Sequence, residues 1–581
     1  MGNFRCFCWL CSAIMICNFV AVKAQDTELE RSVLALTGAS SMEDLDEEVM
    51  DGFSSLASRQ LRINFASEAR MVSSGLFSRY QAASVADYRR RNGDILSVME
   101  LTLVDGFNED TARALAAFVS FAPSGMTAGN PVKTEGMARS SAKWQDGGDD
   151  WNYAVKIRAG DDERWTAGMA AKSVYGDGKW PPEALAGSVG LYGRGGRWSI
   201  VAGDFNTRFG QGLVQWSGFS LSGAQSAAAF ARHPSGISPA WTLSPSAAHR
   251  GVAAEVRFGR TVTSLFVSSA SNASGSTDSS LSFGANVTWL ARYGQIGLTG
   301  ISRGRASADW RWSFGKLDSF GELAYDASGN ASAGIIGLTY NPDYQVRVSV
   351  LARNYAPSYD GNGAGAFRSS TKTSDEAGGA LALDYRKLVL TADMAFHPSK
   401  GTSQHKAVLK YSPQLSENCE MGFKLTSRYR PCDSYMWRNE LRADISRSFP
   451  SGFSLRGCGD VCHCRSLSGL AFCEVGYRNE NTSKTKYAYA RVTLFDVENW
   501  DDRIYMYERD IQGAFSVPAY YGRGWSFNIV TMYKWKGRAA VCLRFSYLDY
   551  PWMTEKKPGK AELKFQLLVW NLQFHSRFDV G

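Results

Sequence analysis

The residues that could do chemistry are few and mostly scattered. The six histidines, His233, His249, His397, His405, His463 and His575, are spread over more than half the chain, so no catalytic triad is suggested. The densest group is Cys458-x-x-x-Cys462-His463-Cys464. Haem attachment needs two residues between the cysteines, and this run has three. It also lacks a second ligand pair at zinc-like spacing. A disulfide-tied turn region and ordinary reduced thiols are the readings left open. A glycine-rich run, Gly190-x-x-Gly193-x-Gly195-Gly196, lies between two strand patterns with no helix after it. That context makes it a hairpin, not a phosphate loop. No catalytic residue, metal or cofactor is expected.

Elements that could position a non-catalytic site are clearer. The chain has 581 residues, 57 of them Gly and only 16 Pro, with 13% aromatics. This composition suits many strands and tight turns, and a hydrophobic fraction of 44% excludes a disordered chain. The mean hydropathy of −0.25 argues against a helical membrane protein. It leaves room for a membrane β-barrel, whose strands are polar on the inner face. Arg5, the apolar run Cys6 to Val22 and the Val22-Lys23-Ala24 site read as a secretory signal over 1–24. Seven cysteines remain after it (Cys419, Cys432, Cys458, Cys462, Cys464, Cys473 and Cys542), enough for up to three disulfides and one leftover thiol.

Charge divides the mature chain. Residues 25–125 hold 16 acids, 9 arginines and no lysine, whereas residues 126–581 carry +13. The acidic part is helical. Met42, Leu45, Val49, Phe53 and Leu56 form one apolar stripe at helical spacing. Two helix pairs follow, turning at Ser74-Gly75-Leu76-Phe77-Ser78 and at Asp105-Gly106-Phe107-Asn108. Ser78 with Gln81 and Ser97 with Glu100 are capping boxes.

From 151 onward the period becomes two. Trp151, Tyr153, Val155 and Ile157 alternate with Asn152, Ala154, Lys156 and Arg158. Trp525, Phe527, Ile529 and Tyr533 alternate with Ser526, Asn528 and Lys534. Many such strands predict a large antiparallel transmembrane β-barrel of roughly 18–24 strands. Lys156, Arg158, Arg257, Lys534 and Arg544 are assigned to its interior. The apolar set switches parity near 569–570, so a bulge or break is expected there. Residues 219–249 form a long loop in or over the mouth.

Two resemblances accompany these patterns. Ile63-Asn64-x-Ala66-Ser67, Tyr88-Arg89-Arg90-Arg91-Asn92-Gly93 and Gly106 resemble the tandem helix-hairpin-helix domain of competence-type (ComEA-like) DNA-binding proteins, over 63–118. That family reads hydrophobic-Gly-hydrophobic-Gly in each hairpin, and its backbone N–H groups meet phosphate. Here Phe77 and Asn108 replace the second glycines, and 6 arginines face 7 acids across the domain. Asn108 could keep the left-handed turn. Gly203-Asp204, Phe209-Gly210-Gln211-Gly212-Leu213, Trp216, Gly218-Phe219, Arg250-Gly251 and the run from Arg503 to Gly522 resemble bacterial outer-membrane barrels of unassigned role that carry such a domain.

The expected organisation is a signal (1–24), a periplasmic helical domain (25–120), a linker (121–150) and an outer-membrane barrel (151–581). The expected function is non-enzymatic: a pore or scaffold in outer-membrane lipid whose helical domain docks a periplasmic or membrane protein, or the barrel rim. The hairpin residues Ser74, Gly75, Leu76, Phe77, Gly106, Phe107 and Asn108 are its candidate contacts. Phe77 and Phe107 could serve as apolar anchors, with burial in the hairpin core the alternative. Arg89, Arg90 and Arg91 form a candidate phosphate stripe. DNA binding or uptake and an anion-leaning porin are the alternatives, the first disfavoured by Phe77, Asn108 and a net −7 over 25–125.

Overall fold

The computed structural model describes residues 25–571 apart from 125–131, 146–147, 162–163, 174–181, 183, 194–195, 222, 224, 242, 244–248, 270–280, 344, 432–435, 481–483, 536–537 and 555–556. The expected signal and Cys432 lie outside the described residues. The chain forms a small helical region and a closed antiparallel barrel. The barrel sheet joins 26 strands, of which Gly236–Pro239 and Gln414–Ser416 are short side pieces, leaving 24 that form the wall. Closure comes from the first strand, Lys133–Gln145, pairing antiparallel with the last, Lys560–Trp570. The first strand lies wholly in the stretch expected as linker, and the second begins there, at Gly148. Its start was missed because Thr134, Gly136, Ala138 and Ser140 give a weak alternation of small residues.

Alternation sets the two faces of the wall. On Gly148–Gly160, Trp151, Tyr153, Val155 and Ile157 are exposed outward, while Asn152, Ala154 and Lys156 are buried inside. The outer surface is a continuous apolar band. Trp198, Phe258, Trp289, Tyr340, Tyr385 and Tyr411 mark one rim, and Trp144, Trp151, Tyr325 and Trp437 the other. At the first rim the turns are tight, as at Gly259–Arg260, Gly315–Lys316 and Arg386–Lys387. At the other rim three connections are long: 209–248, 356–375 and 498–521. The parity switch near 570 is a strand end. Pairing is regular through Trp570, whose ring turns inward, and Asn571 leaves with φ +56°.

Among the described residues six α-helices precede the barrel: α1 (Gln25–Thr37), α2 (Glu47–Ser58), α3 (Glu68–Ser73), α4 (Arg79–Asn92), α5 (Val98–Leu101) and α6 (Glu109–Leu115). The stripe from Met42 to Leu56 is not one helix. Leu45 is extended (φ −96°, ψ 173°), and the Asp46 carboxylate caps α2 by accepting from the Val49 N–H at 2.9 Å. The two helix pairs α3–α4 and α5–α6 close a compact bundle around Leu61, Ile63, Met71, Phe77, Ile95 and Leu115. The Ser78–Gln81 capping box forms in full.

The cysteine cluster belongs to the strand Phe453–His463. Cys458 and Cys462 face inward and pack on Leu470, Phe472 and Phe495, while His463 faces out. Four residues of strand separate the two thiols by about 13 Å, beyond any disulfide. Of the glycine-rich run, Gly190 lies in the strand Ala184–Tyr192 and Gly193 and Gly196 lie between it and the strand Trp198–Arg208, while Gly195 is outside the described residues.

Candidate functional site

A wall of 24 strands encloses a lumen far wider than its own side chains can fill. The chain fills it from both ends. From the tight-turn rim come residues 25–58. Their acids meet bases of the inner wall. Arg442 Nη1 donates to Glu43 at 2.8 Å, Arg139 Nη1 to Glu47 at 3.1 Å, and Lys172 to Glu47 at 3.4 Å. Lys156 pairs with Asp51, and Arg509, on the connection 498–521, pairs with Glu30 at 3.2 Å. Lys424 donates to the Ser41 hydroxyl at 2.9 Å and Lys410 to the Ser40 carbonyl at 3.0 Å, while both serine hydroxyls hold Asp44.

These contacts set protonation. Burial by itself would raise the Glu43 carboxyl, but Arg442 and Lys424 outweigh it and hold the group at about 2. Asp44 is likewise buried and held at about 2 by Lys424 and Lys406. Asp46 and Glu48 are raised, because burial outweighs the attraction of Arg208.

From the opposite rim the long loops fold inward. In 498–521, Arg544 and Asn528 of the wall donate to Glu508 at 2.7 and 3.0 Å, and Lys564 to Asp510 at 2.7 Å. In 209–248, the N–H groups of Gln211 and Leu213 donate to wall Glu322 at 2.7 and 3.0 Å. Loop and N-terminal segment then meet in the lumen. The Tyr507 N–H donates to Glu43 at 2.9 Å, the Ser40 N–H to Gln225 at 2.7 Å, and the Ser226 N–H to the Gly38 carbonyl at 3.1 Å. Gly38 has φ +75°, and a Cβ there would sit 2.7 Å from the Ala229 nitrogen, so only glycine fits this crossing.

The bundle sits against the tight-turn rim. Arg79, buried at the start of α4, reaches through the rim to the inner wall. It donates to Asn286 and Thr288, both at 2.8 Å, and to Ser264 at 2.6 Å, and it pairs with Glu255. Glu68 pairs with Arg257, and the Tyr80 hydroxyl donates to the Arg292 carbonyl at 2.8 Å. Sequence reading missed Arg79, Glu43 and Asp51. The available signal was acids at 43–51 on a face opposite the apolar stripe.

The residues singled out in the sequence are placed differently. Gly75 and Gly106 are turn glycines at φ +76° and +89°. Ser74 caps its turn by accepting from the Leu76 N–H at 3.2 Å. Phe77 is 1% exposed and meets Phe107 edge-on at 6.1 Å in the bundle core, so neither ring is an exposed anchor. Asn108 is not left-handed. At φ −109° it caps α6, accepting from the Thr111 N–H at 2.8 Å. Arg89, Arg90 and Arg91 do not form one stripe. Arg89 donates to the Ile63 and Ala66 carbonyls, while Arg90 and Arg91 pair with Asp87 in solvent. Of the basic residues assigned to the lumen, Lys156 and Arg544 are buried there, Arg158 is half-buried on the cavity lining, Lys534 is half-buried over the Trp570 ring, and Arg257 is engaged at the rim by Glu68.

Between α2, the α3–α4 turn, the wall and loop 209–248 lies a cavity of about 340 Å³. Five arginines line it (Arg59, Arg70, Arg158, Arg208 and Arg232) against two carboxylates, Glu48 and Asp51. Ser74, Gly75 and Leu76 of the first hairpin border the same cavity.

No protein-family model matches the chain, and no curated protein matches it. Solved structures similar to it include Pseudomonas aeruginosa OpdO (8% identity, 76% of this chain and 96% of that one, TM-score 0.30). The P pilus usher (PapC) translocation pore is similar at 8% identity, with 76% and 100% covered and a TM-score of 0.35. Pseudomonas aeruginosa OprD is similar at 9%, with 76% and 96% covered and a TM-score of 0.28. The barrel itself rests on the closure and register of this chain's own strands.

Proposed function

We propose that the protein is a non-enzymatic outer-membrane β-barrel, a pore held shut by its own N-terminal segment. The apolar outer band with aromatic rims supports insertion in lipid, and tight turns on the bundle's side support a periplasmic position for it. The observation that carries the reading is the set of acids on 25–58 (Glu43, Glu47 and Asp51) seated on wall bases Arg442, Arg139, Lys172 and Lys156. Removing that segment would uncover a basic wall, which favours anion passage. Planar-bilayer recording of the full chain tests this. The unaltered protein stays largely closed, while a Glu47→Lys, Asp51→Lys variant with normal heat-modifiable mobility conducts with anion preference. A folded variant as silent as the parent sinks the reading.

Docking of a periplasmic protein by the bundle is a second reading with its own observation. Leu96, Met99 and Leu103, on and beside α5, are 58–72% exposed. Photo-cross-linking from position 103 in the native membrane tests it, and labelling only of the barrel itself would remove it. Nothing in the geometry favours DNA over these readings.

A further inference from the structure

We propose that the cavity between the N-terminal segment and the barrel wall is a binding site for a small organic anion, a carboxylate carried on an apolar or aromatic body. The proposal rests on the plugged-barrel reading and deepens it by naming what the closed lumen holds.

Arg232 carries the argument. It lies on the in-folded loop, is 7% exposed and lines the cavity. Its Nη2 is spent on the Leu221 carbonyl, and its Nε has no hydrogen-bond partner among the described residues. Among the described residues no carboxylate is paired with it. The charged groups that act on it are Arg368 and Arg208, both cations. Leaving such a cation buried beside other cations is costly unless something anionic answers it. The Nε of Arg70, across the cavity on α3, also has no hydrogen-bond partner. Arg208 and Arg232 flank Trp216, each guanidinium 5.8 Å from its ring, and Arg158 lies 4.4 Å over Trp241. The aromatic faces and Phe53 offer a slot for a flat apolar body, and the arginines offer paired donors for its carboxylate. A volume of about 340 Å³ is at the lower end of small-ligand sites. Neither acid on the lining opposes this strongly. Asp51 is bound by Lys156, and Glu48 faces Arg208 and Asn206.

The cavity has one side on the plug, one on the wall and one on the loop. An occupant therefore touches all three, and it stabilises the closed arrangement in which they adjoin.

Calorimetric titration of the full-length, detergent-folded protein with naphthoate tests this, beside neutral naphthalenemethanol and inorganic phosphate. Saturable binding of about one equivalent of naphthoate is expected, at least tenfold tighter than either control. Arg232→Gln weakens it tenfold or more, Arg232→Lys less, and Arg113→Gln on the exposed face of α6 leaves it unchanged. If Arg232→Gln lacks heat-modifiable mobility, Arg70→Gln serves in its place, with a severalfold loss expected. Absence of saturable naphthoate binding overturns the proposal, as does equal binding of a control or indifference to the arginine changes. These outcomes are separate from the bilayer test of the plug: a silent parent opened by charge reversal but blind to naphthoate keeps the plug and loses the site.

Discussion

Residues 61–122 and residues 25–58 adjoin in sequence and in space, yet different forces place them. The first stretch buries its apolar side chains on itself, around Leu61, Met71, Phe77, Ile95 and Leu115. The second completes its core with outside help. Its Val33, Ala39, Met42, Leu45 and Met50 share one cluster with Phe118 of the bundle and with Leu221 and Ala229 of the in-folded loop, and Leu76, Phe219, Tyr507 and Phe515 pack against it. Its acids find partners on the wall. A segment whose core is completed by bundle, loop and wall is held by what surrounds it, and such segments are the ones a protein can release. On the proposed plug, the bundle is the anchor and the segment 25–58 the removable part.

The largest way to break this contrast is to hollow the bundle. Phe77→Ala removes a fully buried ring and its edge contact with Phe107, at a cost of roughly 3–5 kcal/mol. The bundle's near-ultraviolet dichroism signal should fall and its melting shift down. Heat-modifiable mobility of the barrel should not change, because the wall hydrogen bonds do not involve it.

Next comes the seating of the plug. Asp51→Asn leaves Lys156, 6% exposed, without its counter-charge. Removing one partner of a buried pair costs roughly 3 kcal/mol, reduced here because Asp51 is partly open to solvent. The bundle should melt as before, while open-channel events in bilayers become more frequent. A change in bundle melting with no change in conductance would reverse the assignment of the two regions.

How much of this was legible in the sequence follows from periodicity. Period-two alternation identifies which side chains face in, and it placed Lys156, Arg158 and Arg544 inside. It does not say which group each one meets. Glu43 and Arg442 are 399 residues apart, and no local pattern links them. The N-caps were legible because capping is local chemistry. Arg89 to Arg91 misled because consecutive helical residues point about 100° apart, so three arginines in a row cannot share a face. The inward folding of 356–375 and 498–521 was hidden for another reason. Loops that line a lumen keep polar sequences, since their backbone is satisfied by charged wall residues such as Arg442 and Arg491.

Acid should separate the regions with a smaller net effect. Glu43 and Asp44 are held at about 2, below their ordinary values, so the stability they give the plug is complete above the ordinary carboxylate range. It is lost as pH falls from about 4.5 towards 2. Asp46 and Glu48 are raised, so they bind protons more readily in the seated plug and gain over the upper part of that window. Conductance should therefore rise only below about pH 4, and Glu43→Gln should remove most of that rise. A pH response unchanged in Glu43→Gln would show that other groups govern it.

The smallest effect sharpens the comparison from the bundle's side. The Ser78 hydroxyl accepts from the Gln81 N–H at 3.2 Å, and Gln81 returns the bond by accepting from the Ser78 N–H at 3.0 Å. Ser78→Ala removes half of this box and should cost about 1 kcal/mol. The same box fixes the first turn of α4, from which the neighbouring Arg79 reaches the inner wall. Loss of stability confined to the bundle would mean that the Arg79 and Tyr80 contacts hold α4 in place without the cap. A matching loss of protection at the rim, read by hydrogen exchange of the Asn286 and Thr288 strand, would mean that the cap positions Arg79. Bundle and barrel are then joined covalently through the chain, by the Glu68–Arg257 pair, and by the capped start of α4 with Arg79 and Tyr80.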